Sequence, residues 1–206
     1  MKAIILISEA SLPLAKTLQR ELPDTLIYTK NECEGCISIT SCHRFIEEHF
    51  NDFDSIIFIG AMGICVRSIA GCIKNKYKDP AVVCVDSTGR FVISVLSGHV
   101  GGANELTRHI AAITGGEAVI TTQSDNAGLW ALDTLAGKYG WKITVPHAKM
   151  NRLVTLFVNR EPTALLLDIK DKGTEYLERT RKSVLSFRRH APIGIQVDYC
   201  CYTLYI

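Results

Sequence analysis

No apolar run in this 206-residue chain approaches the roughly 20 residues that a membrane-spanning helix needs, so no membrane partner is expected. Excess charge of either sign is also lacking. The 23 Lys and Arg against 21 Asp and Glu leave a formal net charge of +2. The densest basic groups, Arg179 to Lys182 and Arg188 to His190, are short and scattered. A nucleic-acid binder normally concentrates such charge in a patch or stripe, so no nucleic-acid partner is expected. Internal repeats and low-complexity tracts are absent too, which argues against solenoids and disordered linkers. The start, Met1-Lys2 followed by AIILIS, superficially resembles a secretion signal. Its apolar stretch is too short, and Glu9 interrupts it. It reads as a first buried strand of a cytoplasmic protein.

What is present is ordinary globular material, 47% apolar and 21% charged. Such a core folds without staples. The eight cysteines therefore need separate weighing. Cys65, Cys72 and Cys84 sit in apolar segments, where the thiol behaves as a small hydrophobe. Cys200 and Cys201 adjoin on an expected strand and point to opposite faces. CEGCISITSCH places Cys33, Cys36, Cys42 and His43 together. A C-x-x-C pair suits a metal, but no second pair follows, and adjacent Cys42 and His43 make poor joint ligands. Free surface thiols are the preferred reading, with no metal site assigned.

The segments alternate as strands and helices. AIILIS (3–8) leads to a helix capped by Ser11, with Leu14, Leu18 and Leu22 on one face. LIYTK (26–30) is a strand and Ser41 to His49 a helix. SIIFIG (55–60) is an apolar run suited to a strand covered on both faces. It runs into AMGICVRSIAGCI, whose Val66, Ile69 and Ile73 fall at helical spacing. AVVCVD (81–86) and FVISVL (91–96) flank Ser87-Thr88-Gly89-Arg90 and read as an antiparallel hairpin. A helix follows from Ala103 to Thr114 with Leu106, Ile110 and Ile113 inward, then AVITT (118–122). Asp125 or Asn126 is expected to cap GLWALDTLAGKYG.

This rhythm predicts an α/β fold, a mainly parallel twisted sheet with helices on both faces, followed by a smaller α/β domain. The boundary is set at 1–139 and 140–206. The second unit comprises KITV (142–145), a helix over 149–159, TALLLD (163–168), a short helix from Gly173, SVLSFRR (183–189) and CYTLYI.

Open α/β sheets bind ligands beyond the carboxyl ends of their strands, which directs attention to two glycine-rich loops. In GAMGICVR, Gly60 and Gly63 permit close backbone approach, Met62 lies between them, and Arg67 is expected in the first helical turn as a carboxylate partner. A plain strand-to-helix turn is the alternative. No Gly-Lys-Ser/Thr follows, and the third glycine of a dinucleotide fingerprint is missing. In SGHVGGANE, Ser97, Gly98, Gly101 and Gly102 surround His99, with Asn104 and Glu105 opening a helix. Imidazole there can move a proton near neutral pH, Asn104 can orient a carbonyl, and Glu105 can pair with His99 or complement the helix dipole. Nearby candidates are Asp86 and Arg90 at the hairpin turn and Thr121 and Thr122 after AVITT; for Asp86 a purely local turn role is preferred. Trp130, Trp141 and the remaining histidines read as structural.

GAMGICVR, DPAVVCVDSTGRFVISVLSGHVGGANEL and AVITTQSD together resemble the CbiG family of anaerobic cobalamin biosynthesis, closely over Ile56 to Asp125 and loosely beyond. The resemblance implies opening of the δ-lactone of cobalt-precorrin-5A and release of acetaldehyde, giving cobalt-precorrin-5B. Cobalt is then carried by the substrate and no cofactor is implied. The implied catalytic set is His99, Glu105 and Asn104. The implied substrate contacts are Gly60, Met62, Gly63, Arg67, Asp86, Arg90, Ser97, Gly98, Gly101, Gly102, Thr121 and Thr122. The family's C-terminal domain is expected to be absent. A non-catalytic corrinoid-binding module that needs that domain is the alternative, and a homodimer is left open.

Overall fold

Runs of consecutive apolar residues form strands only if both faces are covered, and the first half of this chain supplies three of them in AIIL, IIFI and AVVCV. A computed structural model of the chain describes residues 1–126, 128–129, 131–138, 140, 144–159, 161, 163–167, 184–188 and 202–205. Two compact units emerge, Met1–Thr122 and Gln123–Ile206. No helix among the described residues is long and apolar enough to cross a membrane.

The first unit runs β1 (Lys2–Leu6), a 3-10 turn (Glu9–Ser11), α1 (Leu12–Glu21), β2 (Thr25–Thr29), β3 (Ile37–Ser38), α2 (Cys42–His49), β4 (Ser55–Ile59), α3 (Met62–Ile69), β5 (Ala81–Val85), β6 (Phe91–Leu96), α4 (Ala103–Thr114) and β7 (Glu117–Val119). Its sheet has the order β3-β2-β1-β4-β5-β6-β7. Every neighbouring pair is parallel except β5 and β6. The α/β architecture expected from the sequence is therefore the one observed.

Period-2 alternation divides each central strand between two cores. Ile4, Leu6, Ile57, Ile59, Val83 and Val85 face α1 and α4, meeting Leu18, Leu22 and Ile110. Ala3, Ile5, Ile56, Phe58, Val82 and Cys84 face α2 and α3, meeting Ile46, Phe50, Cys65 and Ile69. Helices thus cover both faces, and the central strands leave no polar side.

Several local expectations need correction. Ser11 stands at the N-cap of α1, but its hydroxyl donates to the Ser87 carbonyl at 3.2 Å instead of capping the helix. Proline at the start of α1 lowers the need for a cap, because its missing N–H would be an orphan there. Val66 and Ile73 are each 46% exposed. The helix ends at Ile69, so Ile73 falls off its register; Ile69 is buried, and Cys65 and Ser68 turn inward beside it in place of Val66. The strand expected through Thr122 stops at Val119. Asp125 and Asn126 lie inside a short helix, α5 (Gln123–Asn126), which Gly128 terminates at a positive φ.

The second unit continues with α6 (Leu132–Lys138), α7 (His147–Val158), β8 (Thr163–Leu167), β9 (Val184–Arg188) and β10 (Tyr202–Tyr205). Its three strands form a parallel sheet in the order β10-β8-β9. Thr144 and Val145, expected at the end of a strand, are not in one. Trp130, Trp141, Cys200, Cys201 and the short helix expected from Gly173 lie outside the described residues.

One buried group in α4 has no hydrogen-bond partner among the described residues. Thr107 is fully buried, and its Oγ1 meets neither donor nor acceptor there. A lone buried hydroxyl costs about 1–3 kcal/mol, whereas a methyl in the same place costs nothing to desolvate. Thr107→Val is therefore expected to raise stability by about 1 kcal/mol, read as a higher urea midpoint at unchanged slope. A lower midpoint would show that Oγ1 has a partner after all.

Candidate functional site

Because β6 runs antiparallel to β5, its carboxyl end does not join those of β4 and β5. The register pairs Val85 with Val92 and Val82 with Leu96. GAMG and the Asp86–Arg90 turn thus stand at one edge of the sheet. SGHVGG and the residues after β7 stand at the opposite edge. Along β5 the separation is roughly 16 Å, five residues at about 3.3 Å each. The sequence-predicted residues therefore form two groups rather than one.

At the first edge, Gly60 adopts φ +152°, and a Cβ there would lie 2.9 Å from Ile7 Cγ1. Glycine is required because β1 and β4 end against each other. The Gly60 amide donates to the Val85 carbonyl at 2.9 Å. Ala61 precedes α3 without any side-chain cap, leaving the first-turn amides to solvent or a ligand. Met62 packs partly against the α2/α3 core, and Gly63 is exposed.

Arg67 lies in the last turn of α3, not the first. Its guanidinium nevertheless lies back over Gly63, with Nη1 3.4 Å from where a Cβ on Gly63 would stand. Helical side chains lean toward the N-terminus, so a residue four positions on reaches the first turn. The expected placement of the charge survives by a different route.

Asp86 has both oxygens engaged within the hairpin turn. Oδ1 accepts from the Phe91 amide at 2.7 Å, and Oδ2 accepts from the Thr88 amide at 3.1 Å and the Thr88 hydroxyl. Burial alone would raise its pKa. The amides of Phe91, Thr88 and Arg90 and the Thr88 hydroxyl outweigh it, and the carboxyl is held below its ordinary value. A depressed carboxylate stabilises the fold above the unfolded pKa of about 3.9 and loses that contribution as pH falls through the folded value. Asp86→Asn is expected to flatten the loss of stability below about pH 4, measured as urea midpoints from pH 5 to 2. An unchanged acid limb would place the sensitivity elsewhere. Arg90 is exposed, with its guanidinium carbon 4.9 Å from the Phe91 ring centroid.

At the second edge the loop is held from several sides. Ser97 adopts φ +56°, uncommon for a residue with a side chain, and its buried hydroxyl donates to the Asp79 carbonyl at 2.9 Å. The Asp79 carboxylate, also buried, accepts from the Lys74 amide at 3.0 and 3.1 Å. Gly101 packs on the Ser97 backbone, and Gly102, at φ +83°, is the N-cap of α4. Asn104 is only 3% exposed. Its Oδ1 accepts from the Ser94 hydroxyl at 2.7 Å, and its Nδ2 donates to Thr122 Oγ1 at 2.9 Å. Its main-chain amide donates to the Gly98 carbonyl at 2.9 Å. One residue thereby joins β6 and the segment after β7 through its side chain and the loop through its main chain. Half-buried His99 sits in the loop so held, exposed Glu105 occupies the first turn of α4, and Thr121 is exposed beside half-buried Thr122.

Two family models match the chain: Cobalamin synthesis G N-terminal over residues 44–125, and Cobalamin biosynthesis central region over residues 130–202. The chain belongs to the CbiG family. A cobalt-precorrin-5A hydrolase from Salmonella typhimurium is 36% identical over 168 residues, 81% of this chain and 48% of that protein. The Priestia megaterium cobalt-precorrin-5A hydrolase is 33% identical over 184 residues, 85% of this chain and 49% of that protein. The chain thus spans about half the length of these curated relatives. A solved cobalamin biosynthesis protein G homolog from Sulfolobus solfataricus superposes with a TM-score of 0.51 at 18% identity, covering 99% of this chain and 59% of that one. At that identity the likeness speaks for the fold.

Both glycine-rich loops fall inside the CbiG N-terminal match, whereas Cys33 and Cys36 precede it. Those two cysteines form a disulfide, so they are neither the metal ligands nor the free thiols weighed from the sequence. Cys42 is buried. Burial pushes its thiol pKa up, against a lowering by Lys30. Among the described residues no cluster of three His, Cys, Asp or Glu side chains stands where it could hold a metal. Sequence reasoning missed Asp79 and Ser94, which only tertiary pairing brings to the loop. It also missed Lys30 and Ser41, which line a cleft at the carboxyl ends of β1 and β2, and gave His43 no role there.

Proposed function

We propose that this CbiG-family chain acts in opening the δ-lactone of cobalt-precorrin-5A, with release of acetaldehyde to give cobalt-precorrin-5B, and that the His99 loop is where protons move. The supporting observation is a single half-buried imidazole in a loop that Ser97, Gly101 and Asn104 hold against β5, β6 and Thr122. The strained serine that opens this loop, at φ +56°, is the kind of feature that accompanies ligand sites. The relatives named cobalt-precorrin-5A hydrolase supply the reaction.

In this reading water adds to the lactone carbonyl while His99 takes its proton. The lactone C–O bond then breaks, leaving a hydroxyl on the two-carbon unit. Removal of that hydroxyl proton lets the carbon–carbon bond break. The carbonyl of acetaldehyde forms, and the electron pair remains on the macrocycle. In this reading loop amides other than those of Gly102, Ala103 and Asn104, which donate within the loop, receive the oxyanion. Asn104 enters as a positioning residue, since its amide is buried and already joins Ser94 to Thr122. Glu105, exposed in the first turn of α4, complements the helix dipole and lies next in line as a base. Cobalt arrives as part of the substrate.

The test is anaerobic incubation of the chain with cobalt-precorrin-5A, following acetaldehyde and the mass of the corrinoid. Release with conversion to the cobalt-precorrin-5B mass supports the assignment. Binding without release would move the chemistry outside these residues.

A further inference from the structure

On the α2/α3 face of the sheet, a cleft of about 460 Å³ opens at the carboxyl ends of β1 and β2. Ile7 and Ile64 give it apolar walls, and Lys30, Ser41, His43 and Arg67 supply polar and cationic groups. Lys30 follows β2, His43 belongs to the first turn of α2, and Arg67 comes from α3. Three elements distant in sequence thus bring cationic or protonatable side chains to one concavity.

Neither Lys30 nor Arg67 has a carboxylate partner among the described residues; His43 meets Glu47 of its own helix at 3.5 Å. Like charges sharing a cleft repel unless an anion joins them. The place is also the expected one. The chain leaves β1 for β2 on one side and reaches β4 on the other, which makes β1 the switch point of the sheet.

We infer that this cleft is a binding site for a carboxylate of an organic anion. Arg67 offers a planar fork to the two oxygens, and Lys30 adds a point charge. The apolar walls favour a ligand with carbon beside its charge over inorganic phosphate. The site lies at the opposite edge of the sheet from His99, so it binds and orients; it does not react. Only the identity of the physiological anion, a carboxylate arm of the macrocycle, rests on the function proposed above.

The experiment is a low-salt titration of the full chain with tricarballylate, followed by amide chemical shifts, with inorganic phosphate as the competing probe. Shifts confined to residues 30–43 and 60–68, and weakened about tenfold or more in a Lys30→Gln/Arg67→Gln double variant, are expected. Both side chains are exposed, so the double variant keeps its thermal midpoint. Shifts elsewhere, unchanged affinity in the double variant, or tighter binding of phosphate would overturn the assignment. Tricarballylate binding in the cleft without acetaldehyde release would remove the proposed activity and leave the cleft standing. Acetaldehyde release with unchanged KM in the double variant, and no tricarballylate binding, would do the reverse.

Discussion

Replacing His99 by alanine is expected to lower acetaldehyde release by about 10²- to 10⁴-fold, the usual effect of removing a general acid–base group. The loop should keep its shape, because Ser97, Gly101 and Asn104 brace it from several sides. Added imidazole should then restore part of the rate, since the missing group is a diffusible base. Glu105→Gln provides the internal comparison. If Glu105 is the base, that variant loses as much and His99→Ala retains near-normal turnover. An effect of His99→Ala on KM alone would make the imidazole a binding group.

Gly101→Ala is expected to cost about 3 kcal/mol, near the upper end for an overpacked site. An added Cβ would stand 2.5 Å from Ser97 Cβ, 2.9 Å from the Ser97 carbonyl oxygen and 3.3 Å from the Ala81 amide nitrogen. Two of these neighbours are main chain, one of them on a fully buried strand, so neither swings aside. Relief requires the loop to lift from β5, which breaks the bond from Ser97 to the Asp79 carbonyl. The neighbouring Gly102 is a sharp control. A Cβ there meets nothing within 4 Å, and only its φ of +83° opposes alanine. That substitution should cost only about 1–2 kcal/mol. Thermal midpoints of the two variants should differ by several degrees in that order. Equal losses would mean that the close packing of Gly101 carries no weight.

The outcome of these substitutions depends on details unequally visible in the sequence. Helix α4 was legible to the residue, because Gly102, the apolar face and Gly115 mark its start, body and end. The hairpin of β5 and β6 was legible from two apolar runs around Ser87-Thr88-Gly89-Arg90. Its consequence was legible too. An antiparallel strand must end where its partner begins, so SGHVGG had to stand beside Ala81, away from Gly60. Treating both loops as one carboxyl edge overlooked that reversal. For Asp86, its preferred role as a turn residue agrees with the hydrogen bonds, which are all within five residues.

By itself, then, the sequence determined the central strands and the main helices of the first unit, the α/β class and the family. Those follow from patterns within one strand, helix or turn, where neighbours in sequence are neighbours in space. Only the tertiary structure decided the β3-β2-β1-β4-β5-β6-β7 order and the clamp from Ser94 through Asn104 to Thr122. It also decided that Lys30, His43 and Arg67 share a cleft. Strand pairing across dozens of residues brings the distant groups together, and each forms its contacts with partners that no local periodicity encodes.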